Sequence, residues 1–134
     1  MLYLLANTPN QTAYMTLSEG RLLYGDCTNY LLELRNELTT KVLYVIPTIL
    51  NENERVTTLL ISTDTDDPTQ GFVSITASAR YSYKVYGQNS ETNLDPYDVS
   101  VLGLYEQGYI DVPFTQNSYD QQTFVIPSDI EYNG

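Results

Sequence analysis

The 134-residue chain has no histidine, no tryptophan and one cysteine, and six lysines and arginines stand against seventeen aspartates and glutamates. Each shortage removes a class of function. A serine or cysteine nucleophile ordinarily needs a histidine base, and none is present. Cys27 alone can form neither an intrachain disulfide nor a cysteine-based zinc site. It reads as a small, partly buried residue at a strand start. A net charge of −11 opposes binding to phosphate backbones, whose affinity rests on lysine and arginine. It equally opposes anionic membrane surfaces. The same excess keeps a many-copy protein soluble before assembly, through mutual repulsion. The seven glycines are scattered, without a phosphate-cradling run. With no tryptophan in a chain this short, a deep sugar cleft flanked by paired carboxylates is not expected. Met1-Leu-Tyr-Leu-Leu5 lacks a basic flank and its apolar run stops at Ala6-Asn7. That is too short for a signal peptide or a spanning helix, so cytoplasmic synthesis is expected. Neither an enzyme nor a cofactor is expected.

What is present is alternation. In Tyr30–Arg35, Tyr30, Leu32 and Leu34 point one way and Glu33 and Arg35 the other. In Arg80–Tyr86, Tyr81, Tyr83 and Val85 oppose Ser82, Lys84 and Tyr86. Period two with one polar side predicts half-buried antiparallel strands. Further strands are predicted at Lys41–Ile46, Arg55–Ile61, Gly71–Thr76 and Tyr109–Val112, with two more near Leu2–Leu5 and Thr12–Leu17. Asn36–Thr40 has hairpin length, Pro47 ends a strand, Ser18-Glu-Gly20 makes a turn, and residues 87–96 form the longest loop. Residues 99–107 read as a short strand or a helical turn that Gly108 ends. About seven short strands with turns roughly every ten residues predict an all-β, immunoglobulin-like antiparallel sandwich over residues 1–114. Residues 115–134 form a polar C-terminal extension, in which Phe124, Val125 and Ile126 make an apolar island suited to clip onto a neighbouring sheet edge or groove.

Candidate sites lie in loops. Asp64, Asp66 and Asp67 could converge on calcium as hard oxygen ligands, although the EF-hand spacing is missing and a solvated acidic turn is the simpler reading. The thirteen tyrosines suit half-wet surfaces. Tyr86 either packs under the Asn89–Pro96 loop or leaves an outer face for a partner. Interface candidates are Asp64, Asp66, Asp67, Tyr86, Asn89, Asp95, Tyr97, Phe124, Val125 and Ile126.

The order Tyr30-Leu-Leu-Glu-Leu-Arg-Asn-Glu-Leu-Thr39, Val45-Ile-Pro47, Asn53-Glu-Arg55, Gly71-Phe-Val73, Tyr81-Ser-Tyr-Lys-Val-Tyr86, Asn93-Leu-Asp95 and Leu104-Tyr-Glu-Gln-Gly-Tyr-Ile-Asp-Val112 resembles small virion structural proteins of crAss-like and related tailed phages of Bacteroidetes hosts. The resemblance covers about residues 17–112. It departs where Ser78-Ala-Arg80 replaces a glycine often found before the Tyr81 strand. It implies a capsid, neck or tail accessory subunit of the virion, present in many copies, that contacts itself and capsid, portal, ring or tail proteins. It implies no catalytic residue. The rival expectation is a carbohydrate- or host-surface-binding module that uses exposed tyrosines such as Tyr86 and Tyr97.

Overall fold

The computed structural model describes residues 2–113, and the Phe124–Ile126 island and the rest of the extension lie outside them. The elements run β1 (Leu2–Tyr3), β2 (Gln11–Met15), α1 (Ser18–Tyr24), β3 (Asn29–Asn36), β4 (Val42–Val45), β5 (Thr48–Glu52), β6 (Thr57–Ile61), a 3-10 turn (Pro68–Gln70), β7 (Ala79–Gln88) and β8 (Val101–Val112). Two sheets form a β-sandwich, one ordered β1-β8-β7-β3-β4 and the other β2-β6-β5. All pairings are antiparallel except β1 with β8, which is parallel.

The alternation sets which face is buried. Tyr30, Leu32 and Leu34 from β3 and Tyr81, Tyr83 and Val85 from β7 point inward. They meet Ala13 and Met15 of β2 and Leu59 and Ile61 of β6 in one core. Burying such side chains is the main stabilising term, about 1.5–3 kcal/mol for each Val, Leu or Ile.

The predicted hairpin at Asn36–Thr40 forms. The Asn36 side chain accepts from the backbone N–H of Leu38 and Thr39, and Thr40 takes a left-handed φ of 62° to close it. Pro47 ends a strand as expected. Yet the chain crosses at once into the other sheet and starts β5, where the sequence pattern suggests only a loop.

Three other expectations need correction. Ser18-Glu-Gly20 opens α1 instead of making a turn. Of residues 99–107, all from Val101 onward belong to the 12-residue β8, which passes straight through Gly108. Gly71–Thr76 is not a strand of either sheet. Val73 and Ile75 are buried as its alternation requires, but their N–H groups donate to the carbonyls of Ser62 and Thr63 beyond the end of β6. The segment therefore plugs one end of the core without joining a ladder.

Candidate functional site

Two surfaces carry the polar and apolar chemistry that the core does not use. The first is the end of the sandwich where β2 gives way to α1, β5 turns into β6, and β7 connects to β8.

This end is organised around Tyr105. The β7–β8 register slips between Val85/Tyr86 and again between Gly87/Gln88, leaving Tyr105 and then Leu102 as the extra residues of β8. The first bulge turns the Tyr105 ring inward. It lies stacked on Tyr24 at 5.7 Å and edge-on to Tyr30 at 5.8 Å, and its hydroxyl donates to the Gly25 carbonyl at 2.6 Å. Two glycines make room for it. A Cβ at Gly20 would lie 2.3 Å from the ring, and one at Gly87 2.4 Å from it. Gly20 therefore lets α1 sit directly on the aromatic cluster.

Beside the cluster sits a polar network that joins the two sheets. Glu52, at the end of β5, accepts from the Tyr30 hydroxyl, from Thr57 at 3.1 Å and from Arg21 Nη1 at 2.8 Å. Arg21 reaches from α1 and also donates to the Asn53 carbonyl at 2.8 Å. This is the one ion pair among the described residues. Burial opposes the Arg21 charge, but Tyr30 and Glu52 outweigh it and its pKa is raised. Burial, more than the neighbouring hydroxyls can offset, pushes the Cys27 thiol up, so it is a poor thiolate source.

Tyr30, Tyr83 and Tyr105 are all held neutral well above the ordinary tyrosine value of 10.0, chiefly by burial. For Tyr30 the Glu52 carboxylate adds to the shift, and for Tyr83 the Glu106 carboxylate does so. Tyr86 is pushed up to about 12 by burial and then by Glu33. Unfolded tyrosines lose their protons near pH 10, so the folded state binds more protons above that pH. The stability these groups contribute is complete below pH 10 and is lost as pH rises beyond it. In an alkaline titration, tyrosinate absorbance is expected in two stages. The later stage should come from Tyr30, Tyr83, Tyr86 and Tyr105, together with loss of the circular dichroism signal. Ionisation of those four near pH 10 with the circular dichroism signal intact would contradict the packing described.

The β7–β8 connection is built from side chains. Gln88 is fully buried, and its amide exchanges hydrogen bonds with Asn93: Nε2 donates to the Asn93 carbonyl at 3.1 Å and Oε1 accepts from Asn93 Nδ2 at 2.8 Å. Asn93 Nδ2 also holds the Asp95 carbonyl at 2.8 Å, and Asn89 Oδ1 accepts from Thr28 N. Asp98 accepts from the hydroxyl and N–H of Ser100, which lower its pKa. A loop fixed this way still leaves Tyr97 and Val99 bare, at 91% and 99% exposure. On α1, Leu22 and Leu23 are likewise bare, at 86% and 77%. Below them a cleft of about 400 Å³ opens between α1 and the β5–β6 turn, lined by Ser18, Arg21, Leu22, Asp26 and Glu54.

The second surface is the outer face of the five-stranded sheet. Cross-strand rows there read Glu33–Lys84–Gln107, Arg35–Ser82–Tyr109 and Arg80–Asp111. Arg80 lies 4.6 Å over the Tyr109 ring. Nearer the loop end, Leu31 points outward yet is fully buried, and Pro96 is buried too, as expected where the connection folds back over the sheet. Tyr86 is half-buried there with Tyr97 and Tyr44 among its neighbours.

The sequence-predicted candidates thus separate. Tyr86, Asn89, Asp95 and Tyr97 gather at the β7–β8 connection. Asp64, Asp66 and Asp67 are exposed beyond the far end of β6, opposite α1. The calcium reading of those three finds no support, because no three histidine, cysteine or acidic side chains among the described residues form a group that could hold a metal. Sequence reasoning missed Leu22, Leu23 and the Arg21–Glu52–Tyr30 network. An adjacent Leu-Leu pair flanked by Arg21 and Asp26 was the available signal for the first. No helix among the described residues is long and apolar enough to cross a membrane. No protein family, no curated protein and no solved structure matches the chain.

Proposed function

We propose that this chain is a contact subunit: an immunoglobulin-like sandwich that assembles in many copies in the virion of a tailed bacteriophage, at its head, neck or tail. The observation that carries the contact role is the loop end. A connection locked by the Gln88–Asn93 pair and a helix seated on Tyr105 together leave Leu22, Leu23, Tyr97 and Val99 uncovered. Monomeric soluble proteins scatter single exposed apolar residues, whereas fixed groups of them mark contact surfaces.

The strand order supports the immunoglobulin-like assignment. If β2 to β8 are lettered B, C, C′, D, E, F and G, the sheets read G-F-C-C′ and B-E-D, with β1 added beside G. On B and F, the strands a disulfide joins in antibody domains, Ala13 and Met15 and Tyr81, Tyr83 and Val85 enter the core instead. The virion setting rests on the resemblance of residues 17–112 to small phage structural proteins.

Mass spectrometry of purified particles of the encoding phage tests the reading. The chain is expected in stoichiometric amounts. A Leu22→Asp/Leu23→Asp variant, folded by circular dichroism, is expected to be incorporated about tenfold less, since desolvated apolar anchors dominate such contacts. Absence of the wild-type chain from particles would sink the proposal. The second reading, a carbohydrate- or host-surface-binding module, is favoured by the bare Tyr97 ring. It requires glycan binding that Tyr97→Ala abolishes.

A further inference from the structure

The chain carries far more negative than positive charge, yet its few cations are not spread evenly. Of six lysines and arginines, three (Arg35, Arg80 and Lys84) point from the outer face of the five-stranded sheet, beside three of the seventeen acids, Glu33, Glu37 and Asp111. That face is neutral, so the remaining three cations and fourteen acids carry the whole −11. Among the described residues these three cations have no carboxylate within 4.0 Å, since Arg21 and Glu52 make the one ion pair. Tyr109, 46% exposed under Arg80, and a shallow groove of about 390 Å³ lined by Ser82, Lys84, Gln107 and Tyr109 give the face relief and an aromatic floor.

At the far end of β6 the opposite arrangement is found. Asp64, Asp66 and Asp67 stand exposed on a segment whose backbone is closed on itself. Asp67 and Phe72 exchange N–H···O bonds of 3.1 and 3.2 Å, Ser62 N–H donates to the Gly71 carbonyl at 3.0 Å, and Gly71 takes the left-handed φ of 90° that this closure needs. None of the three aspartates has a lysine or arginine within 4.0 Å among the described residues.

We infer that the outer sheet face is a docking surface for a second copy of this chain, and that it receives the Asp64–Asp67 segment of that copy. The inference rests on the reading of the chain as an assembling subunit. Charge complementarity selects the occupant. Three cations on one surface meet three carboxylates on another, none of them ion-paired among the described residues, and every other surface of a neighbour at −11 is repelled without such pairing. Made in one direction the contact is heterologous and builds a ring or a filament; made reciprocally it closes as a two-fold dimer.

The test uses the full chain in sedimentation velocity. Self-association is expected at low ionic strength and is expected to weaken as salt screens the pairs. Arg80→Gln/Lys84→Gln and Asp64→Asn/Asp66→Asn/Asp67→Asn are each expected to weaken it by on the order of tenfold or more while leaving circular dichroism unchanged. Mixing the two variants leaves one intact face and one intact acidic segment, so the mixture should stop at a 1:1 dimer. Carbodiimide treatment of mixed light and heavy chains should join Lys84 to Asp64, Asp66 or Asp67 between copies. A wild-type chain that stays monomeric at low salt overturns the inference, as do cross-links from Lys84 to Asp129 or Glu131 within one chain. Assembly that ignores both sets of substitutions also overturns it, but leaves the contact-subunit reading standing.

Discussion

Tyr105→Ala is expected to lower the free energy of unfolding by about 3–5 kcal/mol, the range for removing a large buried ring that its surroundings cannot refill. The ring fills the space that Gly20 and Gly87 leave, touches Tyr24 and Tyr30, and donates to the Gly25 carbonyl. Its loss removes the floor of α1, so the helix should loosen along with the whole domain losing stability. Tyr105→Phe keeps the packing and loses one hydrogen bond, a cost of about 1 kcal/mol. The pair with Gly87 gives a sharper check. Gly87→Ala alone places a Cβ 2.4 Å from the ring and should destabilise, but in a Tyr105→Ala background the conflict disappears. Urea unfolding of the four proteins measures the coupling. Additive effects would show that the ring and the glycine are not packed as described.

Glu52→Ala comes next, at about 2–3 kcal/mol. Removing one partner of a fully buried ion pair costs about 3–5 kcal/mol. The side chains of Arg21 and Glu52 keep 15% and 26% of their exposure, so the cost here is discounted for solvent screening. The alanine strands the Arg21 guanidinium and leaves the Tyr30 and Thr57 hydroxyls without their acceptor. Glu52→Gln keeps an acceptor for the hydroxyls and should cost about half as much. Adding Arg21→Met to Glu52→Ala should recover part of the loss, because the stranded charge is then gone. If Glu52→Ala were neutral by thermal and urea denaturation, the network would contribute nothing to holding the two sheets together at this end.

The strands legible in the sequence are those where burial alone decides the pattern. β3 and β7 are paired along their whole length, and alternation by itself is enough to place Arg35 and Lys84 outward. β5 is hidden because Thr48-Ile-Leu-Asn-Glu52 follows Pro47 immediately and pairs only with β6, leaving its residues largely exposed and without alternation. α1 is hidden by Gly20, which reads as a turn residue and is instead required by a ring that lies 85 positions later, in Tyr105. β8 is cut short in the sequence pattern at Gly108, whose missing side chain makes room for Tyr83 on the neighbouring strand. The Arg21–Glu52–Tyr30 network joins residues 31 and 22 positions apart, a spacing with no local signature. Exposed contact residues such as Leu22 escape notice for a related reason. Apolar residues near a turn look like core until the fold shows that nothing covers them.

The parallel pairing of β1 with β8 has a mechanical consequence. Leu2 and Tyr3 lie beside Ile110 and Asp111, and Leu4 N–H adds a 3.1 Å bond to the Asp111 carbonyl. Because the two strands run the same way, tension applied through residues 2 and 113 slides them past each other and loads these bonds together. An antiparallel pair pulled from one end would open its bonds one at a time. The joint therefore resists a stretching load by shear, the geometry in which a few hydrogen bonds share a force.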